Sequence, residues 1–231
     1  MKRFWKAVSV EASEGGWQVT LDGRAVRTQG GVSQLLPTKT LADQVAQEFA
    51  EQGETIDPRK FVFRDMADYA FDVIAGQRAE AVTKLLEYLE TDTLCYRADP
   101  GEALFARQEL LWEPLVCACE ARHAITLERV SGIIHRPQPE TALDALRVRL
   151  EREDDFALAA LATLTPLAAS LVVALAVLEQ GADPIELFAA ANAEEDWQAE
   201  QWGWEEEAAD VRIRKLAVFE QAAEFLAASR A

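Results

Sequence analysis

Twenty-three consecutive residues, Phe156 to Leu178, carry no charged side chain, and a run of that length belongs either in a bilayer or in a protein core. Its flanks decide between the two. Glu153, Asp154 and Asp155 precede it and Glu179 follows it, whereas a spanning helix shows Lys or Arg at one end. Thr163, Thr165, Pro166 and Ser170 interrupt the apolar sequence. The run therefore reads as a buried central helix or helix pair, broken near Pro166, and membrane insertion is not expected.

A core needs surroundings that keep it in solution. Half of the 231 residues are apolar and the net charge is −17, from 23 basic and 40 acidic residues, enough for one large domain or two modest ones. Residues 1–60 are balanced, with eight Lys/Arg against eight Asp/Glu; residues 153–211 hold fourteen acids and no Lys or Arg. Such a balance disfavours nucleic acid or an anionic membrane as partner and suits one with a basic surface. On charge alone, the acidic stretch reads equally as a solvated face or a docking surface. Cys95, Cys117 and Cys119 lack CxxC spacing, so neither a disulfide framework nor a zinc site is expected, and a reducing compartment fits. No targeting pattern precedes Phe4–Trp5, and a bacterial cytoplasm is the expected location.

Alternation predicts strands over residues 4–10, 17–21 and 24–28, with Asp22-Gly23 as a hairpin signal, and Gln34–Leu36 as a further pairing segment. Thr38 is placed to cap a helix ending near Gly53. Helices follow over about 64–75, with Met66, Tyr69, Ala70 and Val73 inward, and over 78–91. Another starts near Pro100 and is kinked or interrupted at Pro114; then come 140–152, the apolar run, 184–202 and 206–228, with a stray strand at 125–130. The expected fold is α+β. A small N-terminal antiparallel β domain with a helix (1–60) precedes a larger all-helical domain (61–231).

Catalytic chemistry has little support. His123 and His135 have no metal-ligand partner at helical spacing, no GxSxG or phosphate-binding glycine loop occurs, and no acid cluster fixes a metal. The segment that draws attention is Asp183 to Gly203. One face of a continuous helix there would carry Phe188, Ala191, Glu195, Gln198 and Trp202, an apolar stripe broken by a carboxylate and an amide. Two readings stand side by side: a preserved contact for a partner, or a buried glutamate satisfied by an arginine of the same chain such as Arg97. Trp197, Trp202 and Trp204 are core aromatics by default, though their place beside acids also suits an interface.

Ordered motifs go further. Phe4-Trp5-Lys6, Val19 to Arg24, Leu36-Pro37-Thr38, Glu48 to Gln52, Tyr88 with Thr91-Asp92 and Leu94 to Arg97, Gln108 with Trp112 to Leu115, and Glu194-Glu195 with Gln198 and Trp202-Gly203 together resemble the assembly chaperones for the α subunit of the F-type ATP synthase, a mitochondrial and α-proteobacterial family. Phe49 stands where the family usually has Trp, Phe61 to Arg64 replaces a more usual Met-Pro-Leu-Thr run, and Trp197 stands where Tyr is commoner. The resemblance implies a monomeric chaperone without catalytic activity, cofactor or metal, which masks the apolar surface of unassembled α subunit until the β subunit covers it. It implies a critical acid on the C-terminal helix, for which Glu194, Glu195 and Asp196 are the candidates, with Gln198 and Trp202 beside them. Asp92, Tyr96, Arg97 and Trp112 are motif positions, structural or binding. A scaffold for another partner, or a small hydrolase using the acidic cluster, are the alternatives.

Overall fold

The computed structural model describes every residue except Ile133. Val8–Ser13 (β1) and Gly16–Leu21 (β2) form an antiparallel hairpin, and Asp22-Gly23, both at positive φ, turn the chain into β3, Arg24–Ala25. The Asp22 carboxylate also accepts from the Lys6 and Ala7 amides, at 3.0 and 2.8 Å. These bonds hold the segment before Val8 outside the ladder, so the strand expected from residue 4 begins four residues later. A mostly helical region follows the three-stranded sheet.

The chain divides into two compact units that do not follow the 60/61 division. Residues 1–78, 154–160 and 221–231 make the first. Its sheet buries Val19 and Leu21, and α1 (Lys39–Ala50) packs on β1 and β2 with Leu41, Val45 and Phe49 buried. Thr38 caps α1 by accepting from the Leu41 amide at 3.1 Å, while its hydroxyl donates to the Ala228 carbonyl at 2.5 Å. The next helix, α2 (Val62–Tyr69), has its cap supplied from α1: Glu48 accepts from the Phe63 and Arg64 amides at 2.7 and 2.9 Å. A π turn over Ala70–Ile74 then advances the helical phase. Met66, Ala70 and Ile74 are buried, while Tyr69, expected inward, is exposed. Phe225 stacks against Phe63 and Phe156, drawing three distant segments into one core.

Burial pushes the Glu48 carboxyl up to about 7 despite those amide bonds. A carboxyl raised above its unfolded value holds more protons in the folded state. Its contribution to stability therefore declines as pH rises from 4.5 to about 7. Glu48→Gln, neutral throughout, is expected to remove a decline of about 1–2 kcal/mol once solvent screening is allowed for, read by urea unfolding at several pH values across that window.

Residues 79–153 and 161–220 make the second unit. Its helices are drawn from α3 (Ala75–Glu90), α4 (Ala103–His123), α5 (Glu140–Glu151), α6 (Asp155–Ala168), α7 (Leu171–Val177), α8 (Pro184–Ala191), α9 (Ala193–Trp202) and α10 (Glu206–Ser229). Tyr96–Arg97 (β4) and Val130–Ser131 (β5) form a two-residue parallel pair, all that remains of the strand expected over 125–130. Helix α4 runs through Pro114 without interruption. Pro114 is exposed, so the carbonyl it leaves without a helical donor can turn to water. The uncharged run is two helices, but the break falls at Ala169, with φ of +46°, and Ser170, whose hydroxyl caps α7 by accepting from Val173 at 3.0 Å. Pro166 lies within α6. Leu158, Leu161, Leu164 and Leu171 to Leu175 are buried, and among the described residues no helix is long and apolar enough to cross a membrane.

Candidate partner-binding site

The helix expected over 184–202 is two helices. Asp183 caps α8 by accepting from Ile185 and Glu186, and Pro184 takes the first helical position. At Asn192 the backbone leaves helical geometry (φ −105°, ψ 22°), and the Asn192 side chain donates to the Phe188 carbonyl at 2.8 Å. That local bond competes with helix continuation. It rotates α9 out of phase with α8, so the single face drawn from Phe188 to Trp202 does not exist. Phe188 and Ala191 are buried; Glu195, Gln198 and Trp202 face solvent.

The three acids of the first α9 turn therefore part company. Glu194 turns inward, accepts from the Gln108 side chain at 2.6 Å, and is raised by burial above the ordinary carboxylate range. Asp196 accepts a two-pronged bond from Arg212 of α10, at 3.0–3.3 Å, and that guanidinium lies 4.4 Å from the Phe188 ring centre. Glu195 has no partner among the described residues. All three lie where negative charge opposes the positive end of the α9 dipole. Gly203, at φ +84°, ends α9. Trp202, the last residue of α9, is 79% exposed and Trp204, just past Gly203, is 45% exposed, so the default reading of these two as core does not hold. Glu195, Gln198, Trp202, Trp204, Val211 and Arg212 line a concavity of about 540 Å³. Arg107 of α4 pairs with Glu200 of α9 at 2.5 and 2.8 Å.

Asp92, Tyr96, Arg97 and Trp112 do not line this concavity and bond within the chain, although Tyr96 and Arg97 line another recess together with Glu194. Asp92 is fully buried and accepts from the amides of Leu94 and Val172, both at 3.0 Å. The Tyr96 hydroxyl donates to the Glu90 carbonyl at 3.1 Å and lies 2.8 Å from His135 Nδ1. Buried Arg97 donates to the Leu94 carbonyl and pairs with Glu109 and Glu113, so it is not the partner of Glu195. Burial raises the Glu113 carboxyl, but bonds from Arg129, Cys117 and Arg97 outweigh it and draw it down to about 2. Trp112, fully buried, donates from Nε1 to the Ala190 carbonyl at 2.6 Å.

Several acids of the 153–211 stretch find arginines from outside it: Glu153 with Arg149, Asp155 with Arg78, Glu179 with Arg122, Asp196 with Arg212 and Glu200 with Arg107. The remaining field is weaker than the sequence count, and among its exposed, unpaired acids Glu195 lies beside two exposed indoles. Among the described residues no group of three or more His, Cys, Asp or Glu could hold a metal ion. What these side chains offer is recognition: large amphipathic rings that bury much area at small entropic cost, with the free carboxylates of Glu195, Glu205 and Glu207 around them.

The family model described as the ATP12 chaperone protein matches residues 2–120. The chain belongs to the ATP12 chaperone family. This is the family of ATP synthase assembly chaperones that the motifs pointed to. Protein atp12, mitochondrial, of Schizosaccharomyces pombe is 24% identical over 222 residues, covering 91% of this chain and 76% of that protein. The crystal structure of Atp12 from Paracoccus denitrificans matches with a TM-score of 0.93 at 35% identity, over 99% of this chain and 98% of the other. The Atu1473 protein of Agrobacterium tumefaciens matches at 0.92 and 36% identity, over 98% and 85%. The ATP12 structures share the α+β fold, a small antiparallel sheet followed by helices. Helices α8 to α10 lie beyond the residues of the family match but within these structural ones.

Proposed function

We propose that this ATP12-family chain binds the unassembled α subunit of the F-type ATP synthase and shields its apolar interface until the β subunit covers it. It acts in a bacterial cytoplasm, as a monomer, without cofactor or catalysis. The observation that carries the reading is the exposed pair Trp202 and Trp204 beside unpaired Glu195. Apolar area of this kind left in water marks an interaction site, and the carboxylate suits a basic rim on the partner. An unassembled subunit with an open interface is prone to aggregate, so a reversible cover has a physical use. Co-expression with the α subunit tests it: the wild type is expected to keep α soluble and to co-purify with it. Trp202→Ser and Glu195→Ala are expected to keep the wild-type circular dichroism. Each should weaken client binding about tenfold, as truncation of an interface anchor does. If α stays insoluble beside wild-type chaperone, the reading fails; if the variants unfold, these residues are structural.

A further inference from the structure

The first unit carries a recess of its own, about 520 Å³. Its floor is a series of four aromatic rings, Phe4, Trp5, Phe49 and Phe61, with successive centroids 5.0, 5.5 and 4.9 Å apart. The inner three are buried, while Phe4 stands 70% exposed at the mouth. The rim is cationic. Arg24, Arg27 and Arg64 line the recess and no carboxylate does, in a chain with 40 acids and 23 bases. Arg64 is engaged by Asp65 and lies 4.2 Å from the Phe61 ring centre, and Arg27 donates to the Gly31 carbonyl at 2.9 Å. The Arg24 guanidinium has no partner among the described residues.

The recess adjoins an open sheet edge. Sheet order is β1-β2-β3, so β3 is an outer strand. The Val26 amide donates to the Val19 carbonyl at 2.9 Å. Antiparallel alternation then turns the N–H and C=O of the preceding residue, exposed Ala25, away from β2. Ala25 lines the same recess. Backbone donor and acceptor, apolar floor and unpaired cation thus meet in one place.

We infer that this recess docks an extended, acidic segment of a partner protein, with one large apolar side chain seated on the aromatic floor. The segment lies beside β3 and bonds to Ala25 through its main chain, the strand-addition mode of peptide recognition. Its carboxylates face Arg24 and Arg27. The chemistry is opposite in sign to that of the Glu195 surface, so the two sites select different sequences, and this inference stands whether or not the α subunit is the client.

Fluorescence anisotropy on the full chain tests it with a labelled decapeptide alternating glutamate with phenylalanine and leucine. Its counterpart with lysine for glutamate, and an N-methylated version that keeps the side chains but lacks alternate amide donors, are the comparisons. The acidic peptide is expected to bind at least tenfold more tightly than either. The double variant Arg24→Glu, Arg27→Glu, at two exposed positions, is expected to weaken it tenfold or more and to favour the lysine peptide. Equal binding of both charges, or an unchanged double variant, overturns the inference. Undiminished binding of the N-methylated peptide also overturns it, reassigning the recess to small amphiphilic acids. A dimer in sedimentation velocity that the double variant abolishes overturns it in favour of a second copy of this chain.

Discussion

Trp112→Ala is expected to lower the unfolding free energy by about 3–5 kcal/mol, the range for emptying a buried aromatic site. Trp112 is fully buried in α4, and its indole N–H reaches the Ala190 carbonyl at 2.6 Å. That carbonyl lies in the last turn of α8, where helical donors run out. The substitution therefore opens a void and also strips a partner from a buried acceptor. Trp112→Phe separates the two effects: it keeps most of the packing and loses the bond, at a cost of about 1–2 kcal/mol. Urea unfolding measures both, and an alanine variant within 1 kcal/mol of wild type would contradict this account of α4–α8 packing. Because α9 follows α8 directly, the alanine variant should also bind client less well. The Trp202 variants should lose binding without losing stability.

Asp92→Ala is expected to cost a similar amount, about 3–5 kcal/mol, through unsatisfied donors rather than a void. The carboxylate caps the turn at Thr93–Cys95 through Leu94 and, through Val172, the start of α7. Its removal leaves those buried amides without an acceptor. Burial raises the Asp92 carboxyl to about 6, with the bonds from Val172, Ser170, Leu94 and Leu171 acting the other way. The folded state thus holds the proton more tightly than the unfolded one. The contribution of Asp92 to stability is greatest below the unfolded value of 3.8 and declines as pH rises to about 6. Asp92→Asn, an isostere with one acceptor fewer, should show a constant loss without that slope. A slope equal to wild type's would assign the titration to another group.

How much of this could be read from residues alone follows the range of the interactions. Asp22-Gly23, the Thr38 cap, the helix start at Pro184 and the separation of the helices expected over about 64–75 and 78–91 were legible because neighbours in sequence produce them. Gln77, at φ −136°, separates the two expected helices as the residue pattern indicated. The break at Asn192 was not legible. Its signal is one asparagine whose side chain bonds four residues back, and the apolar period on either side runs straight through it. Losing that break placed Glu195 on a buried stripe when it lies in solvent. The partners that sort the three acids, Gln108 for Glu194 and Arg212 for Asp196, stand 86 and 16 residues away, beyond any local pattern. Motif order identified the family where periodicity could not, since periodicity reports burial and not what an exposed surface touches.

The make-up of the first unit has a consequence for how such a chain is made. Phe225 closes a cluster with Phe63 and Phe156, and the Ala228 carbonyl receives the Thr38 hydroxyl. A ribosome releases residues in order, so the sheet and α1 must wait for about 170 further residues before residues 221–231 arrive to complete their core. During that interval the nascent chaperone itself exposes apolar surface that invites aggregation, and so has a folding hazard of its own.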